Sequence, residues 1–90
     1  MRFEDCFFLG TVVSKYSFKG EVLLKLDTDE PEVYQSLDSL FLTQNKALVP
    51  FFVEKCAMHK PGLLRLRFED VVNEEDANLI VKSKAYLPLT

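Results

Sequence analysis

The chain has 90 residues, of which 48% are hydrophobic and 28% are charged, and its formal net charge is −3. This length suits one domain, and the mixed charges exclude a disordered tail. The eight phenylalanines allow a core that needs neither metals nor disulfides. No apolar stretch reaches the roughly 20 residues needed to cross a membrane. Glu4 and Asp5 interrupt the N-terminal segment, so we predict no export signal and a cytoplasmic protein.

The acidic balance limits the kinds of partner. A domain that binds nucleic acid mainly by neutralising phosphates is expected to have a pI above about 9, whereas this chain has a pI near 5.1. We therefore expect a basic protein partner, or a phosphate contact limited to one patch. Lys15, Lys19 and Lys25 form the candidate patch, with Glu21 as the only acidic residue expected to offset them.

The first part of the chain predicts a β-hairpin. Residues 7–13 are rich in Phe and Val, and residues 20–26 alternate apolar side chains, as strands do. The polar segment SKYSFK joins them, and Gly20 gives the chain freedom to enter the second strand. Gly10, inside the first strand, predicts a bulge or bend of the kind a small barrel needs at a corner.

The middle of the chain predicts a short helix followed by a strand. Asp29 and Glu32 have the spacing of a capping box, and Pro31 is tolerated in a first helical turn. These signals predict a helix over about residues 31–37. A strand over residues 39–43 and a polar turn over residues 44–47 follow.

The rest of the chain predicts three strands and one helix. The strands are residues 48–58, residues 63–70 and residues 85–89, and the helix covers about residues 74–82. Pro50 cannot donate to a ladder, so it belongs at an edge, a bulge or a strand start. Residues 59–62, HKPG, predict a turn. Asn73 is a favoured N-cap, and the acidic residues after it complement the helix dipole.

Together these signals give six short strands and two short helices, with no βαβ alternation and no repeat. Connections this short exclude parallel crossovers, so an all-β antiparallel barrel or sandwich is predicted. Closure into a barrel is favoured because it removes exposed sheet edges.

The search for catalytic and metal-binding residues points to a protein that is not an enzyme. His59 is the only histidine, and its place in a turn predicts an exposed imidazole without a task. Cys56 lies three residues away, but the pair lacks a third group to orient a base. The chain has one His and no CxxC motif, and Cys6 and Cys56 are expected to be two buried thiols. We therefore predict no metal site, no disulfide and no cofactor site.

The hairpin tip is the remaining candidate for function. Tyr16 and Phe18 stand between Lys15 and Lys19, where small polar residues would be usual for a turn. Either the rings plug the open end of the barrel, or they are held out as contacts for a partner. From the residues alone the two interpretations are equally supported.

The order of the segments resembles the ribosome maturation factor RimM family over essentially the whole chain. The run from Gly10 to Lys25 resembles the opening motif of that family, which normally has Gly-x-apolar-x-x-x-His-Gly-apolar-x-Gly-Glu. The Pro31-Glu32 turn, the strand with outward-facing arginines at residues 63–70, and the helix that starts near residue 73 follow in order. Tyr16-Ser17 replaces the usual His-Gly, and Lys82 or Ser83 stands where a glycine is common.

This resemblance implies a fold and a function. The expected fold is a six-stranded closed antiparallel β-barrel of translation-factor type, as a single domain over residues 1–90, without the PRC-type second barrel of the family. The expected function is non-catalytic assistance in maturing the small ribosomal subunit and its rRNA, near a basic ribosomal protein of the subunit head. No membrane and no small-molecule substrate are implied. The predicted contact residues form the hairpin loop: Lys15, Tyr16, Ser17, Phe18, Lys19, Gly20 and Glu21.

A different class of function stays open on the residues. Related barrels serve as accessory domains of larger enzymes, such as GTP-dependent translation factors and flavin reductases. A second β-rich segment after residue 90 would support the assembly-factor hypothesis, whereas a nucleotide-binding βα pattern would support the enzyme hypothesis.

Overall fold

The computed structural model describes residues 2–17, 19–34 and 36–89, and it confirms the predicted barrel. Six antiparallel strands close into one barrel in the order β1-β2-β5-β4-β3-β6. The strands are β1 (Cys6–Lys15), β2 (Val22–Leu26), β3 (Ser39–Gln44), β4 (Ala47–Lys60), β5 (Leu63–Phe68) and β6 (Lys84–Pro88). The helices are two 3₁₀ turns, Phe3–Asp5 and Pro31–Tyr34, and one α-helix, α1 (Glu74–Ile80).

The longest strand, β4, serves two neighbours in succession. Its first residues, 47–52, pair with β3, and residues 53–60 pair with β5 after a change of register. Pro50 lies opposite Phe41 of β3 in the first segment, where no pairing with β5 exists. A missing N–H is tolerated there, so Pro50 has the edge position expected of it. The strand continues through His59 to Lys60, and the predicted turn at 59–62 is shorter than expected.

Two register shifts bend β1. One lies between Phe8 and Gly10 in the pairing with β6, and the other lies between Val12 and Ser14 in the pairing with β2. A Cβ on Gly10 would collide with the backbone carbonyl oxygen of Lys25. Glycine is therefore required where β1 passes close to β2, and the predicted bulge at Gly10 is confirmed.

Fifteen buried apolar residues form the core. Most come from the inward positions of the strands, and the largest fully buried side chain is Phe68. Val71, Ala77 and Ile80 close one end of the barrel below α1. Phe7, Tyr34 and Leu37 pack against the core as partly buried residues.

The predicted helix over residues 31–37 is wrong in type and length. The structure has a 3₁₀ turn that ends at Tyr34, and Gln35 lies outside the described residues. The backbone N–H of Glu30 donates to the hydroxyl of Thr28, at 3.2 Å. A turn is stabilised here instead of a longer helix, because Ser and Thr side chains offer the backbone an alternative to helical hydrogen bonds.

Helix α1 begins as predicted and ends earlier. The side chain of Asn73 accepts a hydrogen bond from the backbone N–H of Asp76 at 2.8 Å, and the carboxylate of Asp76 accepts one from Val72 at 3.3 Å. These bonds satisfy donors that a helix start leaves unpaired. The helix ends at Ile80, so Lys82 and Lys84 lie beyond it and do not complement its dipole.

In the part of the chain that the structure describes, there is no helix with the length and apolar character needed to span a membrane.

Candidate functional site: the hairpin end

The loop between β1 and β2 is held by hydrogen bonds that centre on Ser17 and Glu21. The backbone N–H of Tyr16 donates to the carbonyl of Glu21 at 2.8 Å, and the N–H of Gly20 donates to the carbonyl of Ser17 at 3.3 Å. The Ser17 hydroxyl bonds the Glu21 carboxylate at 3.0 Å. Phe18, between these residues, lies outside the described residues. The described residues of the loop thus include a turn in which Ser17 and Glu21 pair polar groups within the loop.

Tyr16 lies on the outside of the barrel and does not plug it. Its side chain is 43% exposed. Its ring meets the ring of His59 edge to face at 5.1 Å between centroids, and the guanidinium carbon of Arg65 lies 5.2 Å from the Tyr16 centroid. Such aromatic and cation–π contacts fix the ring while leaving one side open.

Glu21 connects the loop to the sheet. Its carboxylate lies 3.6 Å from Nε of Arg65, the same arginine that covers the Tyr16 ring. The strands β1, β2, β4 and β5 therefore meet at one cluster, the hairpin cluster, made of Tyr16, Ser17, Glu21, His59 and Arg65. Sequence analysis missed His59 and Arg65 as members. No local sequence pattern could identify them, because they are more than 40 residues away from Tyr16 in the chain. They come close to Tyr16 only because of the order in which the strands pair in the barrel.

The lysine patch predicted from the sequence is reduced by an ion pair. Nζ of Lys15 lies 2.8 Å from a carboxylate oxygen of Glu74, in the first turn of α1. The expectation that only Glu21 offsets these lysines is therefore wrong, since Glu21 bonds Ser17 and Arg65 and Glu74 neutralises Lys15. Lys19 and Lys25 are exposed, and neither makes an ion pair within the described residues.

Gly20 shapes the loop from a buried position. Its φ of 96° is in the left-handed region. A Cβ there would collide with the carbonyl oxygen of Val71 and would lie 3.1 Å from the backbone nitrogen of Asn73. The hairpin is therefore packed closely against the segment that leads into α1. Among the predicted contact residues that the structure describes, Lys15, Tyr16 and Lys19 are exposed.

Cys56 and His59 do not form a catalytic pair. Cys56 pairs with Leu66 on the inward side of β4, and its thiol lies 3.9 Å from the carbonyl oxygen of Tyr34. His59 faces outward to Tyr16 and is half-buried, not exposed in a turn as predicted. Burial raises the pKa of the Cys56 thiol, which disfavours the thiolate that a nucleophile needs. Both Cys6 and Cys56 are free and only partly buried, so the expectation of fully buried thiols is wrong.

Other places for a ligand are few in the described parts of the chain. Those residues contain no cluster of three or more His, Cys, Asp or Glu side chains able to hold a metal ion. A shallow cleft between the β3–β4 turn and α1 is lined by Thr43, Gln44, Asn45 and Leu79. The cleft has no ionisable side chain in its lining and does not touch the hairpin cluster.

These features define the class of protein: a closed six-stranded antiparallel β-barrel domain whose structured hairpin and neighbouring strands present a mixed aromatic and charged surface. Comparison with known proteins makes the class specific. The family model described as the RimM N-terminal domain matches residues 7–89. The chain belongs to the RimM family, and the resemblance stated from its sequence motifs is confirmed.

Curated relatives agree with this assignment. The chain is 60% identical over 90 residues to the ribosome maturation factor RimM of Flavobacterium johnsoniae, covering 100% of this chain and 52% of the relative. It is also 60% identical over 89 residues to the same factor of Flavobacterium psychrophilum, covering 99% of this chain and 51% of the relative. The chain thus spans about half the length of the curated relatives it matches.

A solved structure supports the fold. The barrel superposes with a TM-score of 0.82 on the crystal structure of a Pseudomonas aeruginosa protein described as a 16S ribosomal RNA processing protein, RimM. The sequence identity is 19%, and the match covers 94% of this chain and 51% of that one. At this identity the likeness concerns the fold.

Proposed function

We propose that this barrel is a non-catalytic module for maturation of the small ribosomal subunit, and that it acts in the cytoplasm. The relatives are named ribosome maturation factors, and the solved neighbour is described as a 16S ribosomal RNA processing protein. In this proposal the module binds the immature subunit through its hairpin end. It uses no cofactor and carries out no covalent chemistry.

The observation that carries the proposal is the state of Tyr16. The ring is 43% exposed, yet it is held on two sides by His59 and Arg65. A tyrosine that is already immobilised loses little side-chain entropy on binding, and Tyr and Arg are the residues most often found at energetically dominant contacts. Lys15 and Lys19 flank Tyr16 in the sequence of the same loop, and Phe18 of that loop lies outside the described residues.

A basic ribosomal protein is the proposed neighbour at this site. The net charge of −3 favours a basic protein over a long stretch of phosphate backbone. Lys19 and Lys25, which make no ion pair with the side chains that the structure describes, allow a limited contact with rRNA phosphates beside that protein. Binding that is tighter to the correctly folded rRNA–protein arrangement than to its alternatives shifts the population toward the mature form.

The test is replacement of Tyr16 by alanine in the full-length protein, followed by co-sedimentation with immature small subunits. Loss of a dominant contact costs about 1–2 kcal/mol, so retention should fall roughly 5- to 30-fold. Val33→Ala is the matched control, because Val33 is an exposed apolar residue in the 3₁₀ turn Pro31–Tyr34, far along the chain from the hairpin.

Both variants should keep the unfolding midpoint of the parent chain. Unchanged retention of Tyr16→Ala with normal folding would refute the hairpin as the contact. A marked loss of stability in Tyr16→Ala would show instead that the ring stabilises the fold of the barrel and is not a contact for a partner. Cross-linking from position 19 then tells which neighbour is contacted, since adducts with rRNA alone would contradict the ribosomal-protein contact.

A further inference from the structure

The barrel has two unlike outer faces. One face carries aromatic rings on β1, β6, β3 and the first half of β4. Phe8 lies opposite Tyr86, Tyr86 lies opposite Phe41, and Phe41 lies opposite Pro50, so these four side chains form one row across four strands. Directly paired residues share a face of the sheet. The row faces outward, because Leu40, Leu42, Phe51 and Ala85 occupy the inward positions between them.

Two more rings widen this row. Phe3 contacts Tyr86 edge to face at 5.3 Å, and Phe8 contacts the same ring at 5.7 Å. Phe52 follows Pro50 by two residues on the same side of β4 and is 55% exposed. We call these residues the aromatic face: Phe3, Phe8, Phe41, Pro50, Phe52 and Tyr86. The alternation of the strands places Cys6, Ser39, Leu48, Lys84 and Pro88 beside it, and Lys84 is the one charged residue among these five.

The second outer face, on β2, β5 and the second half of β4, is charged. By the same alternation its outward residues include Lys25, Lys55, Lys60, Arg65 and Arg67. This face has the composition of a surface that stays in water. A contiguous apolar surface on only one side of a small domain marks an interface. The difference between the two faces therefore indicates that another part of the protein, or another molecule, covers the aromatic face.

We propose that the aromatic face is the docking surface for the C-terminal half of the full-length protein. The matching family model is an N-terminal domain, and the chain covers only 52% and 51% of its curated relatives, so about half of a relative follows the matched region. Apolar interdomain contacts of this kind fix the relative position of two domains.

The position of the last strand selects this occupant over a second copy of the chain. β6 contributes Tyr86 to the aromatic face, and the backbone N–H of Leu89 donates to the carbonyl of Asp5 at 3.0 Å, two residues after Phe3 in the same 3₁₀ turn. A segment attached after this point starts beside the face. Covalent attachment gives an effective concentration on the order of millimolar, far above that of a separate copy in solution. The inference does not depend on the proposed ribosomal function.

The experiment is hydroxyl-radical footprinting of the 90-residue chain and of the full-length protein, read by mass spectrometry. Oxidation of Phe3, Phe8 and Phe52 should fall several-fold in the full-length protein. Tyr16 is the internal control, since it is exposed at 43% away from the aromatic face and should be oxidised equally in both. Equal oxidation of the three phenylalanines in both proteins would overturn the proposal. Protection that appears in the 90-residue chain as its concentration rises would assign the face to a second copy and would also overturn it.

A pair of variants gives a second readout. Phe8→Lys with Phe52→Lys should separate the two halves and increase the radius of gyration of the full-length protein in small-angle X-ray scattering. Val13→Lys, at an exposed bulge position of β1, should leave that radius unchanged. The unfolding midpoint of each variant is measured in the 90-residue chain, so that a folding defect is not mistaken for domain separation. An unchanged radius in the folded double variant would contradict the proposal.

Discussion

Gly20 and Gly62 show two reasons for a glycine at the residue scale. Both have φ in the left-handed region, at 96° and 80°. Gly62 has open space where a Cβ would stand, whereas Gly20 is surrounded by the backbone of Val71 and Asn73. A glycine is therefore needed at position 62 only for its left-handed backbone conformation. At position 20 it is needed both for that conformation and for close packing against the segment that precedes α1.

This difference predicts unequal effects of the same substitution. Gly62→Ala should destabilise the chain by about 1–2 kcal/mol, the cost of a left-handed residue with a Cβ. Gly20→Ala should cost about 1–3 kcal/mol more, because a rigid backbone must also move. The measurement is the free energy of unfolding in urea. Equal losses for the two variants would show that the hairpin is not held against α1 as described.

Lys15 and Tyr16 illustrate how neighbouring residues acquire different tasks. Lys15 reaches Glu74 at the start of α1, and Tyr16 turns to β4 and β5, where His59 and Arg65 hold it. The exposed ion pair contributes little to stability, roughly 0–1 kcal/mol. In the proposed contact, the pair would lower the positive charge that the hairpin presents to a partner.

At the scale of elements, the end of α1 is the least favourable turn in the chain. Residues 80–83 form a type II turn: the N–H of Ser83 donates to the carbonyl of Ile80 at 3.1 Å, Val81 has φ −62° and ψ 136°, and Lys82 has φ 76°. The third position of such a turn favours glycine. Of Lys82 and Ser83, the two residues that the resemblance placed where a glycine is common, Lys82 has the conformation that glycine favours.

Lys82→Gly should stabilise the protein by about 1 kcal/mol, because it removes the strain of a left-handed lysine at a small cost in chain entropy. For a domain of this size that corresponds to a rise of roughly 4–8 °C in Tm. Lys84→Gly is the control, since Lys84 is in the extended strand β6 and its replacement should lower Tm. A lower Tm for Lys82→Gly, measured by calorimetry, would contradict the turn assignment.

The β3–β4 turn was predicted to within one residue at each end, since Gln44 and Ala47 belong to the strands, whereas the helix predicted at 31–37 was wrong. Asn45 and Lys46, the two central turn residues, have φ of 50° and 66°, as a two-residue hairpin requires, and QNKA was predicted as a turn. In contrast, the helix predicted at 31–37 depended on the capping spacing of Asp29 and Glu32, and the structure has a 3₁₀ turn at Pro31–Tyr34. The residues of a tight turn determine its conformation locally. A single helical turn, in contrast, forms too few hydrogen bonds to be stable by itself, so tertiary contacts decide its conformation.

For the whole molecule, closure depends on one short seam. β3 and β6 are paired at only two positions, Phe41 with Tyr86 and Leu42 with Ala85, whereas β3 and β4 are paired at six. The hydroxyl of Thr43 accepts a further bond from the N–H of Lys84 at 3.0 Å. The aromatic face lies across this seam, so whatever covers the face also protects the closure.

We expect the seam to open before the rest of the barrel, because it has the fewest cross-strand hydrogen bonds. Native-state hydrogen exchange should show lower opening free energies for amides that bond between β3 and β6 than for those between β2 and β5. Uniform protection around the barrel would contradict this expectation and would mean that the barrel opens only as a unit.

The sequence by itself determined the number and approximate position of the strands, the start of α1, the barrel class and the family. The strands, the helix start and the barrel class follow from alternation, turn residues and caps, all of which act within a few residues, whereas the family follows from the resemblance of the ordered motifs. Only the tertiary structure decided which side of an apolar strand faces inward. In β1 and β4, Phe7 and Phe8, and Phe51 and Phe52, are neighbours of equal hydrophobicity, so alternation cannot orient them. Barrel closure placed Phe8 and Phe52 outside, and the same strand order brought His59 and Arg65 to Tyr16, because contacts between distant residues depend on register and not on local pattern.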